Sequence, residues 1–171
     1  MFAETSSHLT RRNSLVIVWL AGFIDGEGYI GMERQRKKET SQQAASWLYH
    51  PYLIIANSNY NVLRFIKNYI GDGYIYEVRR KKSKSSHKNE KPGFQYKLSK
   101  MDKLKFLLTV LRPYLHLKQQ QCDLLLNFIN IRKNAKVIKG RGYRGSTSFC
   151  NLEENIYLKL RLLNKRGLSK K

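Results

Sequence analysis

From Leu15 to Ile24 every residue is apolar or small, and the run passes without a turn signal into Asp25-Gly26-Glu27-Gly28-Tyr29-Ile30. The run is about half the roughly 20 residues that cross a bilayer, so it predicts a helix buried on all sides rather than a membrane anchor. Ser14 can cap its start. Beyond Gly28 the pattern becomes extended, so a helix hands over to a strand with a carboxylate at the junction. Gly22 and Gly26 lie four apart and, with Ala21, form a smooth stripe on which a second helix backbone can approach closely. If that partner is the same helix of a second copy, two Glu27 side chains just past the helix ends meet. Crowded carboxylates repel each other and create a cation site.

What such a site acts on is suggested by charge. The chain has 33 Lys and Arg against 12 Asp and Glu, a net charge of +21. This excess attracts a polyanion through counterion release, which makes nucleic acid the leading partner. The basic residues accompany tyrosines on strand-like segments rather than one face of a helix, so a membrane surface is disfavoured. With 171 residues and 42% hydrophobic content, the chain can bury one core, and a single domain is expected. Its core would run from about 14 to 131, with a basic loop and a C-terminal helix over 134–166. Cys122 and Cys150 lack metal-ligand spacing and read as reduced core residues in an intracellular compartment. Met1 to Asn13 lack the apolar core of a secretory signal and do not support organelle import.

The remaining punctuation gives an order of elements. Gly28 to Lys38 and Trp47 to Ala56 read as strands, and Asn57 and Asn59 as caps for a helix through Val62, Leu63, Ile66 and Ile70 that Gly71 stops. Tyr74 to Lys81 and Phe94 to Ser99 are further strands, separated by a Lys- and Ser-rich loop. Ser99 and Asp102 resemble a capping box for a helix through Leu104, Leu107, Leu108 and Leu111, ended by Pro113. Another helix starts near Lys118. Asn134 to Phe149 read as a basic loop or arm, and a last helix, capped by Asn151 with Glu154, sets Ile156, Leu160 and Leu163 on one side. The order helix, strand, strand, repeated, predicts an α+β fold: a four-stranded antiparallel sheet with helices on one face and the other face open.

An open polar sheet suits a DNA groove. The first strand would extend about 36 Å at roughly 3.3 Å per residue, close to one turn of duplex. If Ile30 and Met32 point to the core, alternation sends Tyr29, Gly31, Glu33, Gln35 and Lys37 to the groove side. The same logic exposes His50 and Tyr52 on the second strand, Tyr76 and Arg80 on the third, and Gln95 and Lys97 on the fourth. Gln, Glu, Lys and Arg can read base edges, whereas tyrosines more often pack or touch phosphate.

The segment Leu20-Ala21-Gly22-Phe23-Ile24-Asp25-Gly26-Glu27-Gly28 resembles the LAGLIDADG motif of homing endonucleases. Leu111-Arg112-Pro113-Tyr114-Leu115-His116-Leu117-Lys118-Gln119-Gln120 is similar to the segment that carries that family's active-site lysine, and Gly71-Asp72-Gly73-Tyr74 lies between them. The resemblance covers roughly Ser14 to Ile131 and implies the αββαββα fold of these enzymes. It implies that Glu27 and the Gly26 carbonyl bind magnesium, with manganese as a possible substitute, that Lys118 stands beside the scissile phosphate, and that Asn57 positions water. Most relatives carry aspartate where Glu27 stands. Asp25 reads either as a second metal ligand or as a partner of turn amides. One motif copy implies a homodimer with Leu20, Ala21, Gly22 and Asp25 at its interface, cutting double-stranded DNA at a long pseudo-palindromic site. Such proteins are commonly encoded in organelle introns, which implies an organellar location. The alternative is a binding-only relative, such as a maturase that takes intron RNA.

Overall fold

A computed structural model of the chain describes residues 14–38, 46–78, 92–134 and 150–165. In chain order the elements are α1 (Ser14–Glu27), β1 (Gly28–Lys37), β2 (Ser46–Asn57), α2 (Tyr60–Ile70), β3 (Tyr74–Val78), β4 (Gly93–Leu98), α3 (Met101–Leu111), α4 (Gln119–Asn134) and α5 (Cys150–Leu163). A single 3-10 turn, Arg112–Tyr114, joins α3 to the loop before α4. The strands form one antiparallel sheet in the order β1-β2-β4-β3. This is the expected α+β architecture, with the two further helices, α4 and α5, that the sequence also predicts.

The sheet has a dry face and an open one because apolar residues alternate along its strands. Ile30 and Met32 on β1, Leu53 and Ile55 on β2, and Tyr96 and Leu98 on β4 are buried together with Leu20, Ala21 and Ile24 of α1 and Leu104, Leu108, Leu125 and Phe128 of the later helices. Fully burying each large aliphatic side chain stabilises the fold by roughly 1.5–3 kcal/mol relative to exposure. Local signals set the ends of α2: the Asn59 side chain accepts from the amides of Asn61 and Val62, and Gly71 closes the helix in the left-handed region at φ 73°. The start of α3 differs from expectation. Its N-cap is Lys100, without a side-chain cap bond, and Asp102 instead pairs with Lys133 at the end of α4.

Three other expectations are corrected. The first helix is not buried all round, since Leu15, Val18 and Trp19 are exposed along one side. It also runs through Glu27, so this carboxylate ends the helix rather than following it. On α5, Ile156 and Leu160 are buried but Leu163 is exposed. Cys122 is a buried free thiol in contact with the Leu108 carbonyl, and burial pushes its pKa up to about 12. The N-terminal stretch to Asn13, most of the loop after β3 and the basic arm within 135–149 lie outside the described residues. Among the described residues, no helix is long and apolar enough to cross a membrane.

Candidate active site and nucleic-acid interface

Glu27 is exposed at the C-terminal end of α1, with Gly26 exposed beside it. Gly28 pairs with Ile55, so the end of α1 and Asn57, the last residue of β2, lie at the same end of the first two strands. Lys118 arrives from the loop before α4, and the link is Asp25. Although only 9% exposed, its carboxylate accepts from the backbone amides of His116 at 2.7 Å, Leu117 at 3.2 Å and Lys118 at 3.0 Å. These are the amides just ahead of α4, so Asp25 serves as a long-range cap for that helix. In return the Lys118 ammonium donates to the Asp25 carbonyl, placing a cation at the end of α1 where the helix dipole favours one. One clasp thus sets Lys118 within two residues of Glu27.

This geometry decides Asp25. Of its two readings, bonding to amides is the one seen, but the amides belong to a segment more than ninety residues away in sequence. It is also not a surface residue for a partner helix. Leu20 and Ala21 are likewise buried in the chain's own core, at 1% and 0% exposure, so these three expected interface residues are corrected to core and clasp. The open side of α1 is formed by Leu15, Val18, Trp19, Gly22 and Gly26, and among the described residues a Cβ built on either glycine would meet nothing within 4 Å. Trp19 stacks on Phe23 and meets Phe65 of α2 edge-on, so α2 extends this side. The sequence pattern missed the phase because apolar residues occupy every side of the run.

Asn57 uses its side-chain oxygen to accept from the Asn59 amide at 2.8 Å, which tightens the turn into α2. The donors available to a metal are the Glu27 carboxylate and the Gly26 carbonyl, all hard oxygens, and such a set suits magnesium or manganese. Among the described residues there is no group of three or more His, Cys, Asp and Glu able to hold a metal ion. The donors fit magnesium, but one chain supplies only part of a coordination shell.

The open face of the sheet carries the expected row. Tyr29, Glu33, Gln35, His50 and Tyr76 are exposed, while Tyr52, Gln95 and Lys97 are half-buried. Gly31 is a correction: it lies on this face but is buried under the Tyr29 ring, which a Cβ there would strike at 2.3 Å. The Lys37 side chain and all of Arg80 lie outside the described residues. Tyr74 is on the same face and exposed, a residue that alternation from Tyr76 could have found. The side chains form a connected surface. Tyr29 stacks on Tyr52 at 5.8 Å, and the Tyr76 hydroxyl donates to Gln95 at 2.6 Å. Burial and the neighbouring Tyr29 push the Tyr52 hydroxyl up to about 12, so it stays neutral. Arg161, Asn164 and Lys165 at the end of α5 flank Tyr29 around a recess of about 520 Å³, a contribution invisible to strand alternation.

The LAGLIDADG endonuclease family model matches residues 20–131, from within the motif helix into α4. The chain superposes on the homing endonuclease I-CvuI, solved with a DNA target and magnesium, with a TM-score of 0.66 at 22% identity over 92% of this chain and 86% of that one. An archaeal intron-encoded homing endonuclease complexed with DNA gives 0.68 at 18% identity, covering 94% and 91%. For the LAGLIDADG homing endonuclease I-GzeII in complex with its DNA target the TM-score is 0.61 at 18% identity, and 90% of this chain covers 46% of that one. Among curated proteins, none matches in sequence. The match across both the motif helix and the Lys118 segment settles the family: the chain belongs to the LAGLIDADG endonucleases.

Proposed function

We propose that the chain is one half of a homodimeric, magnesium-dependent endonuclease that cuts double-stranded DNA at a long pseudo-palindromic site and promotes intron homing, in an organelle. The observation that carries this reading is the open side of α1, where Gly22 and Gly26 leave the backbone uncovered and lead directly to the exposed Glu27. Crossing two copies there brings together two carboxylates, completing a donor set that a single chain leaves partial. Its coverage of under half of I-GzeII, against most of I-CvuI, fits a chain that works in pairs.

In this arrangement Glu27 and the Gly26 carbonyl hold the metal. When bound, magnesium supplies charge neutralisation at the phosphate and a more acidic water. Lys118, fixed by the Asp25 clasp, places its ammonium where charge builds on the phosphate oxygens. Asn57, at the adjacent strand end, orients the attacking water through its amide. The basic, tyrosine-rich sheet face holds the duplex, and β1 alone, at roughly 3.3 Å per residue, follows about one turn of it. The presence of Glu27 favours the enzyme over a binding-only relative.

The test is incubation of the purified protein and magnesium with a plasmid library, followed by sequencing of the ends. Recurrent breaks at one long, roughly symmetric sequence are expected. Glu27→Gln should lower the cleavage rate on the order of 10³-fold while specific binding survives. Undiminished cutting by that variant would remove Glu27 from the mechanism.

A further inference from the structure

Three strands bring one acidic and one basic group together on the open sheet face. Glu33 on β1 lies directly opposite His50 on β2, and Lys97 on β4 reaches across β2 toward it. The Lys97 ammonium lies 4.9 Å from the centre of the Tyr52 ring and 3.6 Å from the Glu33 carboxylate. Tyr52 is itself stacked on Tyr29, so the platform beneath Lys97 is braced from two strands. The Glu33 side chain is 60% exposed and that of Lys97 21% exposed, and an ion pair with one partner so open to solvent contributes little to stability. The separation also exceeds the 2.7–2.9 Å of a charge-assisted hydrogen bond. Ammonium donors and carboxylate lone pairs therefore remain available to a third group.

We infer that Glu33 and Lys97 together read a single G·C base pair in the major groove, a specificity role that rests on the DNA-binding reading above. In that groove guanine presents two acceptors, O6 and N7, and cytosine presents the N4 donor; O6 and N4 are neighbours because they bond each other. An ammonium beside a carboxylate is the complement of that edge, with Lys97 on guanine and Glu33 on cytosine. An A·T pair offers the ammonium adenine N7 or thymine O4, single acceptors separated by the N6 donor, in place of guanine's adjacent O6 and N7, and so matches less well. The cation-π seat on Tyr52 fixes which side the donor occupies, and with it the orientation of the pair.

The experiment is selection of bound duplexes from a library randomised over the half-site, without added divalent metal so that binding alone is read. The intact protein should enrich G·C at one position of each half-site. Lys97→Met and Glu33→Gln should each relax that same position by roughly 10- to 100-fold and leave the others unchanged. Uniform weakening of all sequences by Lys97→Met would make it a phosphate contact and overturn the inference. So would an A·T at the shared position, or effects of the two variants at different positions. If the intact protein enriches no sequence at all, the DNA-binding reading falls along with the inference; an enriched site that ignores both substitutions defeats the inference alone.

Discussion

Asp25 illustrates how far a residue's task can lie from its motif. Its carboxylate holds three amides ahead of α4, and its carbonyl holds the Lys118 ammonium. Removing the carboxylate takes the shared partner from three partly buried amides and uncaps a helix, so Asp25→Ala should cost about 1–3 kcal/mol. Denaturant unfolding would measure it, with Glu27→Gln as the contrast: an exposed end position should stay within about 0.5 kcal/mol of the parent. Equal midpoints for Asp25→Ala and the parent would mean that the clasp does not bear load. The motif itself was legible in sequence, because its glycines and carboxylates occur in a fixed order. The destination of the Asp25 side chain was not. Its partners are distant in sequence, and local periodicity carries no information about which loop folds back onto a helix end.

Among the elements, α5 lies beyond the segment matched by the family model, yet it is fastened to the sheet. Arg34 of β1 is sandwiched between Trp47 at 4.2 Å and Tyr157 at 5.1 Å and pairs with Glu154 at 2.8 Å. Tyr49 also donates to Glu154. Asn164 donates to the Ile30 carbonyl at 2.9 Å, satisfying a group on the free side of an edge strand that would otherwise invite pairing with another chain. Leu160 is 1% exposed and Leu162 is 72% exposed. Truncating Leu160 to Ala should therefore cost about 2–4 kcal/mol, and the same change at Leu162 almost nothing. Thermal and denaturant melts of the two variants decide it, and matched losses would show that α5 is packed in a different phase. Helical spacing revealed the existence of this helix and the inward direction of Ile156 and Leu160. It wrongly included Leu163, and it could not foresee the aromatic and ionic fastening, which joins residues more than a hundred positions apart. Strand alternation transferred better, because a period of two fixes the face once a single residue is known to be buried. Among the described residues it failed at Gly31, where a neighbouring ring covers a residue that has no side chain of its own.

At the scale of the whole molecule, the proposed enzyme exists only as a pair, and α1 must satisfy two demands at once. Its Leu20, Ala21 and Ile24 side fills the chain's own core, while Gly22 and Gly26 leave the other side bare. Among the described residues, a Cβ at position 22 would meet nothing within 4 Å beyond its own helix backbone, so the folded monomer should tolerate Gly22→Leu. In a dimer the same side chain intrudes where two backbones cross, an overpacking cost of roughly 1–3 kcal/mol per copy. The net charge of +21 resides on each chain separately, so non-specific DNA binding should persist in the variant and still weaken steeply with salt. Specific cleavage should fall with the dimer, because a lone Glu27 leaves the metal donors incomplete. Light scattering and cleavage at matched protein concentration test this directly. A variant that cuts as a monomer, or that remains a full dimer with unchanged activity, would show that the active site is assembled through some surface other than the bare side of α1.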